Sequence, residues 1–324
     1  MKTSSAIHVE GLTKYYGEFL AVDHIDFEVN QGEIFGFLGP NGAGKTTTIR
    51  MLCGLLKPSD GEASVAGFSI QKETVEVKSR IGVVPEISNL YDELTSFENL
   101  LFMGQLYGIP KNQRDKRAQE LLQLFRLEGK KDALFSSLSK GMKRSLTIAA
   151  ALVHEPSLIF LDEPTSGLDV MSARNLRTIV KQLHQQGTTI FLTTHNIEEA
   201  NLLCHRIAVI VNGKIIAVDT PEALKKSVQE KSIVELGMEN PNLPDLLESI
   251  KAFNGVDTVS RRQDRFVIGF KGSPPWGSFL QYLQERQFSV TSVNTLQPTL
   301  EDAFVKITGL EREIMMIEKE GKKG

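Results

Sequence analysis

Residues Gly39-Pro40-Asn41-Gly42-Ala43-Gly44-Lys45-Thr46-Thr47 place glycines, a lysine and a hydroxyl at the spacing G-x-x-x-x-G-K-[ST]. Glycines permit a backbone curl that side chains would block, so several N–H groups can converge on phosphate oxygens. At this spacing Lys45 reaches the β- and γ-phosphates of a nucleoside triphosphate, and the Thr46 hydroxyl ligates Mg²⁺. A second set of groups follows. The apolar run Leu158-Ile159-Phe160-Leu161 ends in Asp162 and Glu163. A strand there delivers Asp162 beside the phosphate loop to hold the Mg²⁺ shell, and leaves Glu163 to orient and deprotonate an attacking water. Taken alone, the pair also fits a strand followed by acidic loop residues. His195 ends a further apolar run, Leu192-Thr193-Thr194-His195.

Phosphate chemistry needs a strand before the loop and a helix after it, and the flanks supply both. Ile34–Leu38 reads as a buried strand and Thr46–Leu52 as a helix whose N-terminus adds partial positive charge. Segments Ile7–Leu12, Ala21–Val29 and Glu62–Gly67 predict an antiparallel β subdomain, and Ile81–Val84, Leu158–Leu161, Thr188–Leu192 and Arg206–Val211 predict the strands of an α/β core. Residues 87–140 read as an inserted helical subdomain, opened by the capping box Thr95-Ser96-Phe97-Glu98. Thr220-Pro221-Glu222 marks another helix start. From about Ser232 the order becomes β-α-β-β-α-β, the ferredoxin-like arrangement of a small α+β domain. The expected division is therefore 1–228, then 229–310, then a charged tail at 311–324.

Bulk properties narrow the classes. The 324 residues are 41% hydrophobic and 24% charged, ordinary for globular material. A net charge of -3 gives no electrostatic reason to expect a nucleic-acid partner. Cys53 and Cys204 lie far apart on apolar segments and read as reduced core residues. The N-terminal residues do not form a signal peptide, and no apolar run approaches membrane-spanning length, so a membrane role is expected to come through a partner.

Beyond these elements, Leu138-Ser139-Lys140-Gly141-Met142 opens a helix ahead of the Asp162–Glu163 strand, and Ser166-Gly167-Leu168-Asp169 follows it. In this order the motifs resemble the nucleotide-binding subunits of ABC transporters, over roughly Ile7 to Ala223. The resemblance implies a P-loop NTPase fold of the ABC ATPase type, with ATP and Mg²⁺ as ligands. Here LIFLDEP matches the Walker B segment, SGLD the D-loop and His195 the switch histidine. An aromatic residue in Lys14-Tyr15-Tyr16-Gly17 is expected to stack on adenine; Tyr16 holds the family position, with Tyr15 as the alternative ring. Two departures stand out. The signature loop, usually LSGGQ, reads LSKGM, which keeps Ser139 and Gly141 for the γ-phosphate across a dimer. Lys140 there either adds charge near that phosphate or faces solvent. Glu86, in Gly82-Val83-Val84-Pro85-Glu86, stands where a Mg²⁺-binding glutamine is usual. Both departures resemble the drug-, polysaccharide- and lipid-export branch, as does the run Pro298-Thr299-Leu300-Glu301-Asp302-Ala303-Phe304, which also reads as an N-capped helix.

The resemblance implies two ATP-binding chains, identical or related, closing head to tail over ATP and coupled to an integral-membrane permease subunit. It places the chain in the cytoplasm, attached at the inner face of the membrane. Leu90, Tyr91, Leu94, Phe97 and Leu101 either form the groove for a permease helix or pack the helical subdomain. A regulator, or a soluble ATPase serving a ribosome or DNA partner, is the alternative. Against it stand the single phosphate loop and the absence of a sustained heptad run.

Overall fold

Alternating burial builds the first strands. In β1 (Ser5–Tyr16) Ile7 and Val9 point inward while His8 and Glu10 face out; in β2 (Phe19–Asn30) Ile25, Phe27 and Val29 alternate with Asp26 and Glu28. The two pair antiparallel with Val9 opposite Phe27. After the fully buried β3 (Ile34–Leu38) and helix α1 (Lys45–Leu52), β4 (Asp60–Val65) joins the free edge of β1 and β5 (Phe68–Ser69) follows it. This is the expected antiparallel β subdomain. The computed structural model describes residues 5–229, 232–242 and 245–310; the tail expected at 311–324 lies outside the described residues.

A six-stranded sheet carries the chemistry. Helix α2 (Thr74–Arg80) leads into β6 (Ile81–Val84), and later come β7 (Leu158–Asp162), β8 (Thr189–Thr194), β9 (Arg206–Val211) and β10 (Lys214–Asp219). Their order is β10-β9-β3-β8-β7-β6, parallel throughout except for β10, which returns antiparallel at the edge. Strands β3, β7 and β8 are buried at every residue, as parallel strands covered on both faces must be. Phe27 stacks on Phe35, and Phe35 and Phe160 both reach Phe191, so one aromatic core joins the antiparallel sheet to the parallel one.

Between β6 and β7 lie α3 (Ser96–Leu106), α4 (Lys111–Leu124) and α5 (Lys140–Ala151), with two short 3₁₀ turns. The Thr95–Glu98 capping box starts α3 as its sequence requires. Buried Asn99 then ties down the preceding loop: its amide donates to the Tyr91, Leu94 and Thr95 carbonyls and its oxygen accepts from the Tyr91 N–H. Helices α6 (Val170–Gln185) and α7 (Ile197–Leu203) follow β7 and β8, capped by Asp169 and Asn196.

The chain divides into two compact units at Pro221/Glu222. Helix α8 (Pro221–Ser227) therefore groups with the second unit, whereas the sequence reading placed residues to 228 in the first. Strand β10 stops at Asp219 and Pro221 has no N–H with which to continue pairing, so the chain leaves the first sheet there. The second unit runs β11 (Ser232–Met238), α9 (Leu246–Ala252), β12 (Val256–Arg262), β13 (Arg265–Phe270), α10 (Trp276–Glu285) and β14 (Val290–Leu296). That is the β-α-β-β-α-β order, with an antiparallel sheet β12-β13-β11-β14 around Phe266, Phe270 and Phe279. Helix α11 (Leu300–Thr308) closes the unit, and Thr299 and Asp302 form its capping box.

Candidate active site

Strand β3 ends where its neighbours crowd the backbone. A Cβ on Gly39 would stand 2.2 Å from the Ile210 carbonyl oxygen, so that position admits only glycine. Gly44, the residue before α1, has φ +103, and a Cβ there would lie 2.7 Å from the Ala21 carbonyl oxygen. Between them the loop is pinned by backbone bonds from Gly39 N–H to Thr194 O (3.2 Å) and from Gly213 N–H to Ala43 O (3.1 Å). No side chain caps α1, so its first N–H groups and its dipole face the loop, as an anion site requires.

Below the loop, five of the side chains singled out from sequence meet, joined by Thr193. Lys45 is buried, and its ammonium donates to the Gly39 and Pro40 carbonyls at 2.7 and 3.0 Å and pairs with Glu163 Oε1 at 3.1 Å. The Thr46 hydroxyl donates to Asp162 Oδ2 at 3.0 Å, and the Thr193 hydroxyl donates to Asp162 Oδ1 at 2.6 Å. Glu163, just past the end of β7, takes the left-handed conformation at φ +46, with its N–H held by the Thr193 carbonyl at 3.1 Å. Its Oε2 lies 2.9 Å from His195 Nδ1. Burial pushes the Glu163 carboxyl up, but the bond to His195 and the charge of Lys45 outweigh it and hold the group below the ordinary carboxyl range. Glu163 is thus kept ionised, as a base must be.

A cavity of about 280 Å³ opens over this cluster. It is lined by Asn41–Thr47, Glu86, Glu163, Tyr16 and Phe19, so Tyr16 rather than Tyr15 borders it, and Glu86 faces the same space as the phosphate loop. Phe19 was not singled out from sequence; it opens β2 directly after the Tyr16 turn and stands exposed at the mouth. Ser139 and Gly141 lie elsewhere in the chain. Ser139 caps α5, and Gly141 is packed so tightly that a Cβ would come within 2.4 Å of Ser172 Oγ. The Lys140 ammonium lies along the D-loop, where a Cβ on Gly167 would be 2.1 Å from it. Sequence reasoning also missed Arg144, whose buried guanidinium binds the Asp162 carbonyl at the end of β7, the Pro164 carbonyl beyond it and the Pro85 carbonyl just past β6.

The donor set suits Mg²⁺. Thr46 and Asp162 present a hydroxyl and a carboxylate in direct contact, Glu86 adds oxygen donors in the cavity, and no cluster of three metal-ligating side chains occurs among the described residues. Magnesium is ordinarily held by one or two carboxylates together with substrate phosphates, so no all-protein cage is needed.

Comparison with known proteins agrees with this geometry. Residues 22–166 match the family described as ABC transporter. The chain is 36% identical to the linearmycin resistance ATP-binding protein of Bacillus subtilis, across 94% of this chain and 98% of that protein. It is 44% identical to a Nod factor export ATP-binding protein of Paraburkholderia xenovorans, across 95% and 99% of the two chains. Among solved structures, an ATP-binding subunit of an ABC transporter superposes with TM-score 0.63 at 31% identity, over 68% of this chain and 92% of that one. A dimeric cassette bound to ADP and phosphate does so with TM-score 0.60 at 27% identity, over 66% and 98%. With the phosphate loop, the carboxylate pair and the histidine carried on this sheet, and with relatives 36% and 44% identical along nearly the whole chain, the protein is a member of the ABC transporter family, an ATP-binding and ATP-hydrolysing subunit.

Proposed function

We propose that this chain is the motor of an exporter. The carrying observation is the joined set Lys45, Thr46, Asp162, Glu163 and His195 beneath the phosphate loop. Lys45 and the backbone N–H groups of 39–47 hold the β- and γ-phosphates, Tyr16 stacks on the adenine, and Thr46, Asp162 and Glu86 hold Mg²⁺, which when bound neutralises phosphate charge. Glu163 takes the proton of the attacking water, and His195 keeps Glu163 oriented and ionised. Ser139 and Gly141 serve the nucleotide of a second ATP-binding chain, a copy or a relative of this one, so that ATP closes the pair and hydrolysis releases it.

Relatives of similar length are named for Nod factor export and for drug resistance, which favours outward transport. Another structural neighbour is cbiO1 of Clostridium perfringens, part of the cbiONQ transporter complex, which supports pairing with a permease. No helix among the described residues is long and apolar enough to cross a membrane, in keeping with attachment through that permease at the inner membrane face. Of the five apolar residues read from sequence, Tyr91 is exposed, Leu94, Phe97 and Leu101 are half-buried, and Leu90 is buried, so the first four are the candidates for an apolar docking surface on the helical subdomain. We take 1–228 as the ATP-binding domain in the functional sense and 229–310 as an accessory domain.

Glu163→Gln tests the catalytic assignment. Turnover is expected to fall by about 10²-fold or more, with Mg²⁺–ATP binding retained and dimer favoured in sizing chromatography. Undiminished hydrolysis removes Glu163 from the role.

A further inference from the structure

We propose that Arg144 is a positioning residue that couples the carboxylates of the ATP site to the helix carrying Ser139 and Gly141. The inference rests on the site roles given above. Arg144 lies on α5, one turn beyond Gly141, and is only 7% exposed. Among the described residues its guanidinium donates to main-chain carbonyls and to no carboxylate. Nε reaches the Pro164 carbonyl at 3.0 Å and Nη2 the Asp162 carbonyl at 2.6 Å, while Nη1 is shared between the Pro85 carbonyl and that of Glu86 at 3.3 Å. One rigid fork thus grips the end of β7, the loop beyond it and the loop after β6.

Two of those carbonyls belong to residues assigned above to the ATP site, Asp162 and Glu86. Asp162 turns its carboxylate to Thr46, and Glu86 lines the cavity. Arg144 binds their main chains and occupies neither carboxylate. Burial outweighs the attraction of Asp162, Glu199, Glu86 and Glu163, which offset only part of the cost of burying its charge. A second tie runs parallel one turn on, where the Ser88 and Thr147 hydroxyls meet at 2.7 Å. Hydrogen bonds weaken steeply with distance and angle, so a displacement of about 1 Å at Asp162 or Glu86 must either carry α5 with it or break the fork. The N-terminus of α5 carries Ser139 and Gly141. A change at the phosphate end therefore moves the surface presented to the second ATP-binding chain. Lysine cannot substitute, because a single ammonium on a flexible stem cannot hold four acceptors in one plane.

The test uses the full chain and two variants, Arg144→Lys and Arg144→Gln. Binding of a Mg²⁺-bound non-hydrolysable ATP analogue, steady-state ATPase kinetics, and amide hydrogen exchange with and without the analogue are measured on each. Coupling predicts analogue affinity within about threefold of the parent, with a kcat loss of about tenfold or more at similar KM. Protection of 39–52 by the analogue persists in both variants, while the response of 136–145 seen in the parent is lost. Should Arg144→Gln fail to fold, Arg144→Lys alone carries the same readouts. The proposal is overturned if either folded variant keeps parental kcat and the 136–145 response. It is equally overturned if analogue binding and 39–52 protection are lost together with it, since that marks general scaffolding. A parent chain that binds the analogue but does not hydrolyse ATP would sink the catalytic roles instead, and the exchange data would still decide the coupling.

Discussion

Glu163 concentrates the site's chemistry, and its environment can be dissected with one substitution. Burial alone would raise its pKa; His195 and Lys45 reverse the sign. In His195→Ala the burial penalty is opposed mainly by Lys45, so the carboxyl pKa rises and the acid limb of the kcat profile shifts to higher pH. A pH–rate profile with an unmoved acid limb would argue that His195 does not tune the base. Stability follows the same sign. With a folded-state pKa below the ordinary 4.5, ionised Glu163 stabilises the fold above that value, and the contribution is lost as pH falls through the lowered pKa. At this scale the sequence was informative wherever chemistry is written as a short spacing. Lys45, Thr46, Asp162, Glu163 and His195 were all legible, and the structure brings them together. Arg144, Thr193 and Phe19 were not, because their partners are backbone carbonyls, a side chain on a neighbouring strand, or a cavity mouth.

Among the elements, signals local to one helix turn read well and long-range ties did not. The capping box at Thr95 and the N-cap at Thr299 stand as their sequences suggested, and Asp302 completes a box at the second. Thr95→Ala should cost about 1 kcal/mol, seen as a lowered denaturation midpoint at unchanged slope. Asn99 gave no such signal, since its acceptors lie up to eight residues upstream in an irregular loop. Asn99→Ala should cost more, about 1–3 kcal/mol, because it removes three bonds to part-buried carbonyls and one from the Tyr91 N–H at once. It should also loosen the loop that presents Tyr91. A variant with parental stability and parental exchange rates across 91–95 would count against that reading. The compact units part at Pro221/Glu222, a few residues before the boundary read from sequence, because a capped helix start at Thr220 says where a helix begins and nothing about which core it joins.

For the whole molecule, two separate cores imply two unfolding events. One is built around Phe35, Phe160 and Phe191, the other around Phe266, Phe270 and Phe279. Calorimetry on the intact chain is expected to resolve two transitions. Mg²⁺–ATP analogue at 100 times its Kd should stabilise only the larger unit, by about 2.7 kcal/mol. A single transition that shifts as one would show the units to be energetically fused. The element order of the smaller unit was visible in its alternation of strand and helix signals, whereas its sheet order was not, since pairing partners leave little trace in one sequence.

The phosphate loop has a timing problem built into its surroundings. Strand β3 has β8 and β9 as its two neighbours, Gly39 lies under the Ile210 carbonyl, and Ala43 is held by the Gly213 N–H. Every one of these supports is translated more than a hundred residues after the loop itself. A nascent chain emerging N-terminus first carries residues 39–47 outside the ribosome long before β8, β9 and the turn at Gly213 arrive to shape them. Nucleotide capture is therefore withheld until the first unit is nearly complete, and a prematurely terminated chain carries the phosphate-binding residues without the supports that let them grip ATP.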